Sequence, residues 1–128
     1  MRPFGDLEAD IMRVVWASDE PLTIQRITDA LNEERPLAYT TVMTVTERLR
    51  TKGWLDRTKQ GRSYRYSALR SEDDYTAELM ERALESSANR AEALLRFAGR
   101  LEASEAATLR AALGRMPHGP DADGRGAP

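Results

Sequence analysis

A chain of 128 residues, 41% of them hydrophobic and 31% charged, has room for one modest core or two small ones. It holds no cysteine and one histidine, His118, which excludes disulfides and thiolate chemistry and argues against a histidine-based triad or zinc site. The formal net charge of −2 hides a segregation: residues 35–70 carry nine Lys or Arg and two Asp or Glu, residues 1–34 three and eight, and residues 71–128 seven and eleven.

In chain order, Asp6 is placed to cap a first helix with Leu7, Ile11, Val14 and Val15 on one face, the i, i+4, i+7, i+8 spacing of an amphipathic helix. Glu8 and Asp10 lie in its first turn, where the helix dipole favours negative charge. The stretch Pro21-Leu22-Thr23 reads as short and extended, with Thr23 as the N-cap of a second helix that carries Ile24, Ile27, Ala30 and Leu31. Pro36 bounds it, because the residue before a proline disfavours helical geometry. A third helix is expected from near Thr40 to Lys52, with Gly53 as its C-cap glycine and Val42, Val45, Thr46 and Leu49 toward the core. Its threonine content is poor for helix propensity, so it needs tertiary packing.

Trp54–Thr58 and Ser63–Ser67 are alternating runs on either side of Lys59-Gln60-Gly61-Arg62, the pattern of a β-hairpin with a basic tip. Trp54 reads as core or hinge rather than as a base-stacking platform. Ser71 and its acidic first turn open a fourth helix with Tyr75, Leu79, Met80, Ala83 and Leu84. After a weak break at 86–89, a fifth helix carries Ala91, Leu94, Leu95, Ala98 and Leu101. Ser104, with Glu105 at N1, is placed to cap a sixth with Ala106, Leu109, Leu113 and Met116. Residues 117–128, rich in Gly and Pro, are expected to be a disordered tail. No apolar run approaches the roughly 20 residues that span a bilayer, and the N-terminus lacks the apolar region of a signal peptide; the expected compartment is the cytoplasm.

The expected fold is mainly α with a small β-hairpin. Residues 1–70 form a winged helix-turn-helix domain, 71–116 a helical dimerisation domain and 117–128 the tail. In a winged helix the third helix enters the DNA major groove and the hairpin reaches the backbone or an adjacent groove. The basic island coincides with both elements. Thr40, Thr41 and Thr44 lie on one side of the third helix; a threonine hydroxyl bonds a phosphate or base edge, and its methyl suits the thymine methyl. Arg48, Arg50 and Lys52 are candidate phosphate contacts, as are Lys59 and Arg62 on the wing. Thr40 reads equally well as an N-cap, and the basic side chains as a solvated face or as partners of Glu47. Tyr75, Leu79, Met80, Leu94, Leu95, Leu101, Leu109 and Leu113 are more apolar groups than three short helices can hide. An isologous homodimer would bury them; the alternative is that these helices pack back on their own winged domain.

The run from Ala38 to Leu49, with Lys52-Gly53-Trp54-Leu55, resembles the penicillinase-repressor family. So do Leu7–Met12 with Val15-Trp16, and Gly61–Tyr66. The resemblance spans about residues 4–116. It implies a homodimeric repressor that binds palindromic operators upstream of β-lactamase or related genes, with Thr40, Thr41 and Thr44 on the recognition helix and Arg62 at the wing tip. It also implies a membrane metalloprotease sensor as a partner, although the Asn-Phe bond cut in some members has no counterpart: Phe97 follows Arg96 and Asn89 precedes Arg90. Copper-responsive members carry a cysteine cluster that this chain lacks.

The competing reading is a winged-helix protein-interaction module that does not read DNA; the basic island argues against it. A ligand-sensing repressor has no pocket signature here. No phosphate-loop glycines and no nucleophile–base pair support an enzyme, and no cofactor is expected.

Overall fold

The structure, a computed structural model, describes residues 3–117; of the expected tail only Pro117 lies within them, and His118 lies outside. Six helices and one hairpin follow in the order α1 (Asp6–Ala17), α2 (Ile24–Asn32), α3 (Tyr39–Thr51), β1 (Leu55–Gln60), β2 (Ser63–Ala68), α4 (Glu72–Glu85), α5 (Arg90–Ala98) and α6 (Ala103–Arg115). Among the described residues no helix is long and apolar enough to cross a membrane. The chain divides into two compact units, Met1–Ala83 and Leu84–Pro128.

The first unit is a winged helix. Ile11, Met12 and Val15 of α1, Ile24, Ile27 and Leu31 of α2, and Val42, Val45 and Leu49 of α3 form its core with Trp54, Leu55 and Tyr66. The core faces expected from periodicity are these, except that Leu7, Val14 and Ala30 are half-buried and Met12 fully buried. Strands β1 and β2 pair antiparallel from Leu55↔Ala68 to Gln60↔Ser63. The extended stretch before α2 becomes a third, one-residue strand: Leu22 N–H donates to the Tyr66 carbonyl at 2.9 Å and Tyr66 N–H returns a bond to Leu22 at 2.7 Å.

Four aromatic rings gather at one side of this core. Phe4 stacks on Tyr75 at 4.1 Å between centroids, and Trp54 meets both edge-on at 5.1 and 5.5 Å. Phe4 N–H donates to the Tyr75 hydroxyl at 2.7 Å, and Trp16 Nε1 to the Arg70 carbonyl at 2.8 Å. Arg70 lies 4.4 Å over the Trp54 ring and pairs with Glu78. These contacts draw the first turns of α4 into the first unit, so the division falls inside α4, after Ala83, and not at residue 70. Tyr75, expected at a dimer interface, is used within its own unit.

Local ends differ from expectation in ways that hydrogen bonding explains. Gly5 is the N-cap of α1 and Asp6 its first helical residue, because Glu8 Oε1 accepts from Gly5 N–H at 2.9 Å. Ala38 precedes α3, so Thr40 lies inside the helix and is not its cap. The hairpin loop is two residues, Gly61-Arg62, with Gly61 at φ +63°; this tight turn suits the strand twist and places Lys59 and Gln60 in β1. Thr23 and Ser71 cap α2 and α4 as expected, accepting from Arg26 and Asp74 N–H at 3.1 and 3.0 Å, and Asn89, in the stretch read only as a weak break, caps α5 by accepting from Glu92 N–H at 3.1 Å.

In the second unit, α5 ends at Ala98, so Leu101 lies in the turn that follows. Glu102, not Ser104, is the N-cap of α6, with its N–H bonded to Glu105 Oε1 at 2.9 Å. Among the described residues, no side chain of α5 or α6 is buried.

Gly53 follows α3 at φ +90° with nothing near the place a Cβ would occupy. The cost of Gly53→Ala is then conformational alone, and urea unfolding should show a loss of about 1–2 kcal/mol.

Candidate nucleic-acid interface

With Val42, Val45, Thr46 and Leu49 turned to the core, α3 presents its opposite side to solvent. Thr40, Thr41 and Thr44 are all exposed there. Thr40 and Thr44 lie one turn apart, and Thr51 continues their line at the helix end. Thr44 Oγ1 donates to the Thr40 carbonyl at 2.9 Å, which leaves the oxygen lone pairs and the methyl for a ligand. Thr46, the remaining threonine of the run, is fully buried and donates to the Val42 carbonyl at 2.7 Å. The threonines therefore divide into one core residue and an outward polar face.

The basic candidates divide as well. Arg48, Lys59 and Arg62 are exposed and make no ion pair among the described residues. Arg50 Nε donates to Glu47 Oε1 at 3.0 Å. Lys52 Nζ donates to Glu8 Oε2 at 2.7 Å, tying the end of α3 to the first turn of α1. The fold thus engages Arg50 and Lys52 with its own carboxylates and leaves Arg48, Lys59 and Arg62 available.

Glu47 gathers three donors: Arg50, Arg57 Nη1 at 2.9 Å and the Tyr66 hydroxyl. Burial pushes its carboxyl up, but these hydrogen bonds and the Arg50 and Arg57 charges outweigh that and hold it below the ordinary value. Burial, and then the bond to Glu47, push the Tyr66 phenol above its ordinary value. A groove of about 420 Å³ opens beside this group. Tyr39 and Met43 of α3, Thr23 and Gln25 at the start of α2, and Arg62 and Tyr64 of the wing line it. Sequence reasoning passed over Tyr39, Gln25 and Arg57. The signals available were an aromatic, Tyr39, beside Thr40 and a basic residue, Arg57, in an alternating strand; nothing in the sequence marked Gln25. Among the described residues no group of His, Asp or Glu could hold a metal ion.

The arrangement is an exposed hydroxyl-bearing helix face beside unpaired cations, suited to phosphates and base edges. Comparison with known proteins gives the family. A family model described as penicillinase repressor matches residues 4–115. The transcriptional regulator BlaI of Mycobacterium tuberculosis strain CDC 1551 / Oshkosh is 41% identical over 118 residues, covering 90% of this chain and 86% of the relative. The regulator of the same name from strain ATCC 25618 / H37Rv matches to the same extent. The solution structure of the DNA-binding domain of the repressor BlaI aligns with 59% of this chain and 94% of its own, at 27% identity and a TM-score of 0.51. The hsRosR-S4 complex structure covers 84% of this chain and 94% of its own at 19% identity and a TM-score of 0.53, a likeness of fold alone.

The Glu8–Lys52 pair makes acid stability testable. Burial pushes the Glu8 carboxyl up, but the bonds from Lys52 and Gly5 N–H, with the Lys52 and Arg48 charges, bring it below its ordinary 4.5. A carboxyl lowered on folding stabilises above its ordinary value and loses that contribution as pH falls through the lower, folded value. Lys52 is 44% exposed and Glu8 10%, so solvent screens the pair in part. Glu8→Gln should cost about 1 kcal/mol near pH 7. The gap to wild type should close below pH 4.5, read by urea unfolding across a pH series.

Proposed function

Because the chain belongs to the penicillinase-repressor family and is a DNA-binding transcriptional repressor of the BlaI kind, we propose that it binds a palindromic operator as a homodimer and leaves it on an inducing signal. The observation that carries this is the outward threonine face of α3 beside the unpaired Arg48, Lys59 and Arg62. In the major groove, Thr40 and Thr41 offer hydroxyls to base edges or phosphates, Thr44 offers its oxygen lone pairs to a base amino group, and their methyls suit thymine. Arg62, at the turn of the wing, and Lys59 approach the backbone, and Arg48 adds a phosphate contact from α3. Arg50 and Lys52 act less as DNA contacts than as partners of the fold's own carboxylates, Arg50 holding Glu47 on α3 itself and Lys52 tying the end of α3 to α1.

A second copy is the partner proposed for the second unit. Leu94, Leu95, Phe97, Leu109 and Leu113 stay largely exposed in one chain, Leu95 at 67%. Isolated helices as short as α5 and α6 are marginal in water, and an isologous interface would cover these side chains. Leu79 and Met80 of α4, and Leu101, would extend it. Dimerisation would present two α3 helices to half-sites spaced by whole helical turns. The operator is assigned to β-lactamase or related genes and the setting to the cytoplasm. A membrane metalloprotease sensor is the partner proposed for release, at a bond other than Asn-Phe, which the chain does not contain.

Fluorescence anisotropy on a palindrome from the chain's own promoter tests this reading. Thr44→Ala with Arg62→Ala should weaken operator binding by about 10–100-fold. Arg62→Ala alone should lower the slope of log K against log salt by about one unit. Binding that ignores both salt and these substitutions would refute it. Light scattering should give the mass of two chains, and Leu95→Glu with Leu109→Glu the mass of one.

A further inference from the structure

Glu47 belongs to α3, yet its carboxylate is shared among three elements. Oε1 accepts from Arg50 Nε on α3 itself at 3.0 Å. Oε2 accepts from Arg57 Nη1 on β1 at 2.9 Å and from the Tyr66 hydroxyl on β2. Arg57 and Tyr66 are register partners, three steps before the Gln60↔Ser63 pair that closes the turn. Each is held from a second direction. The Arg57 guanidinium lies 4.0 Å over the Tyr64 ring, and the Tyr66 main chain is bonded both ways to Leu22. One carboxylate thus ties the recognition helix to both strands of the wing.

For affinity alone this carboxylate is a disadvantage. It repels phosphates, and it occupies two arginines that would otherwise attract them. What it provides is a fixed angle between α3 and the hairpin. We infer that Glu47 is a positioning residue for operator recognition: it sets the wing against α3, raising sequence discrimination while lowering affinity for DNA in general. This rests on the chain being the operator-binding repressor proposed above. The opposed effects separate the role from simple support of the fold, which would not tighten binding to any duplex when lost.

The test measures wild type, Glu47→Gln and Tyr66→Phe on the palindrome and on a random duplex over a salt series, well below the melting temperature of each. For Glu47→Gln the ratio of specific to random affinity should fall about tenfold. Random-duplex binding should tighten by up to about threefold, with a salt slope steeper by up to about one unit. Tyr66→Phe removes one bond without changing charge; it should lower the ratio in the same direction and leave the salt slope alone. An unchanged ratio in Glu47→Gln overturns the inference. So does a ratio lost in Glu47→Gln but kept in Tyr66→Phe, which would make Glu47 a direct base contact. A wild type with no preference for the palindrome overturns the repressor reading itself, and this inference with it.

Discussion

The first unit depends on the buried side of α3. This helix is rich in β-branched residues and has weak intrinsic propensity, so packing must hold it. Val42, Thr46 and Leu49 lose all solvent exposure against α1, α2 and the hairpin. Thr46 belongs to that face because its hydroxyl finds a carbonyl one turn back, which removes the penalty of burying it. Once this side is fixed, helical geometry places Thr40, Thr44 and Thr51 outward. The outward threonine face is thus a consequence of the core.

Electrostatics then sorts the basic island. Two carboxylates, Glu8 and Glu47, draw Lys52, Arg50 and Arg57 into the fold. What stays outward and without an ion pair among the described residues is a smaller set of cations, Arg48 on α3 with Lys59 and Arg62 on the hairpin. This sorting ties the C-terminal half of α3 to its neighbours: Lys52 joins its end to α1, and Glu47 joins it to both strands of the hairpin. A surface with every cation free would bind any duplex well and discriminate poorly.

The aromatic cluster of Phe4, Trp16, Trp54 and Tyr75 performs a comparable service for the chain following the wing. It gives the first turns of α4 a place in the winged unit, where Tyr75 both stacks and accepts a main-chain bond. The rest of the helical half follows a different logic. Helices α5 and α6 have well-capped ends and no buried side chains, so their local geometry is complete while their apolar surface is not. An apolar face left uncovered within one chain is what a symmetric partner would supply.

Much of this was legible in the residues. Hydrophobic periodicity gave α1, α2 and α3 their core faces, the alternating runs around Gly61 gave the hairpin, and cap chemistry placed the starts of α2 and α4. Motifs in α3 and the wing pointed to the family. These are local properties, repeated along the chain with a fixed period, so they survive without knowledge of the fold. Tertiary structure decided the rest. Which cations are available depends on carboxylates 44 residues away for Lys52 and 10 for Arg57. Whether Tyr75 belongs to an interface or a core depends on Phe4, 71 positions earlier. No sequence window spans 44 or 71 residues, and the ten to Arg57 cross from a helix to a strand whose relative placement a window does not give. Charge and ring pairing are settled only when packing brings distant residues within a few ångströms.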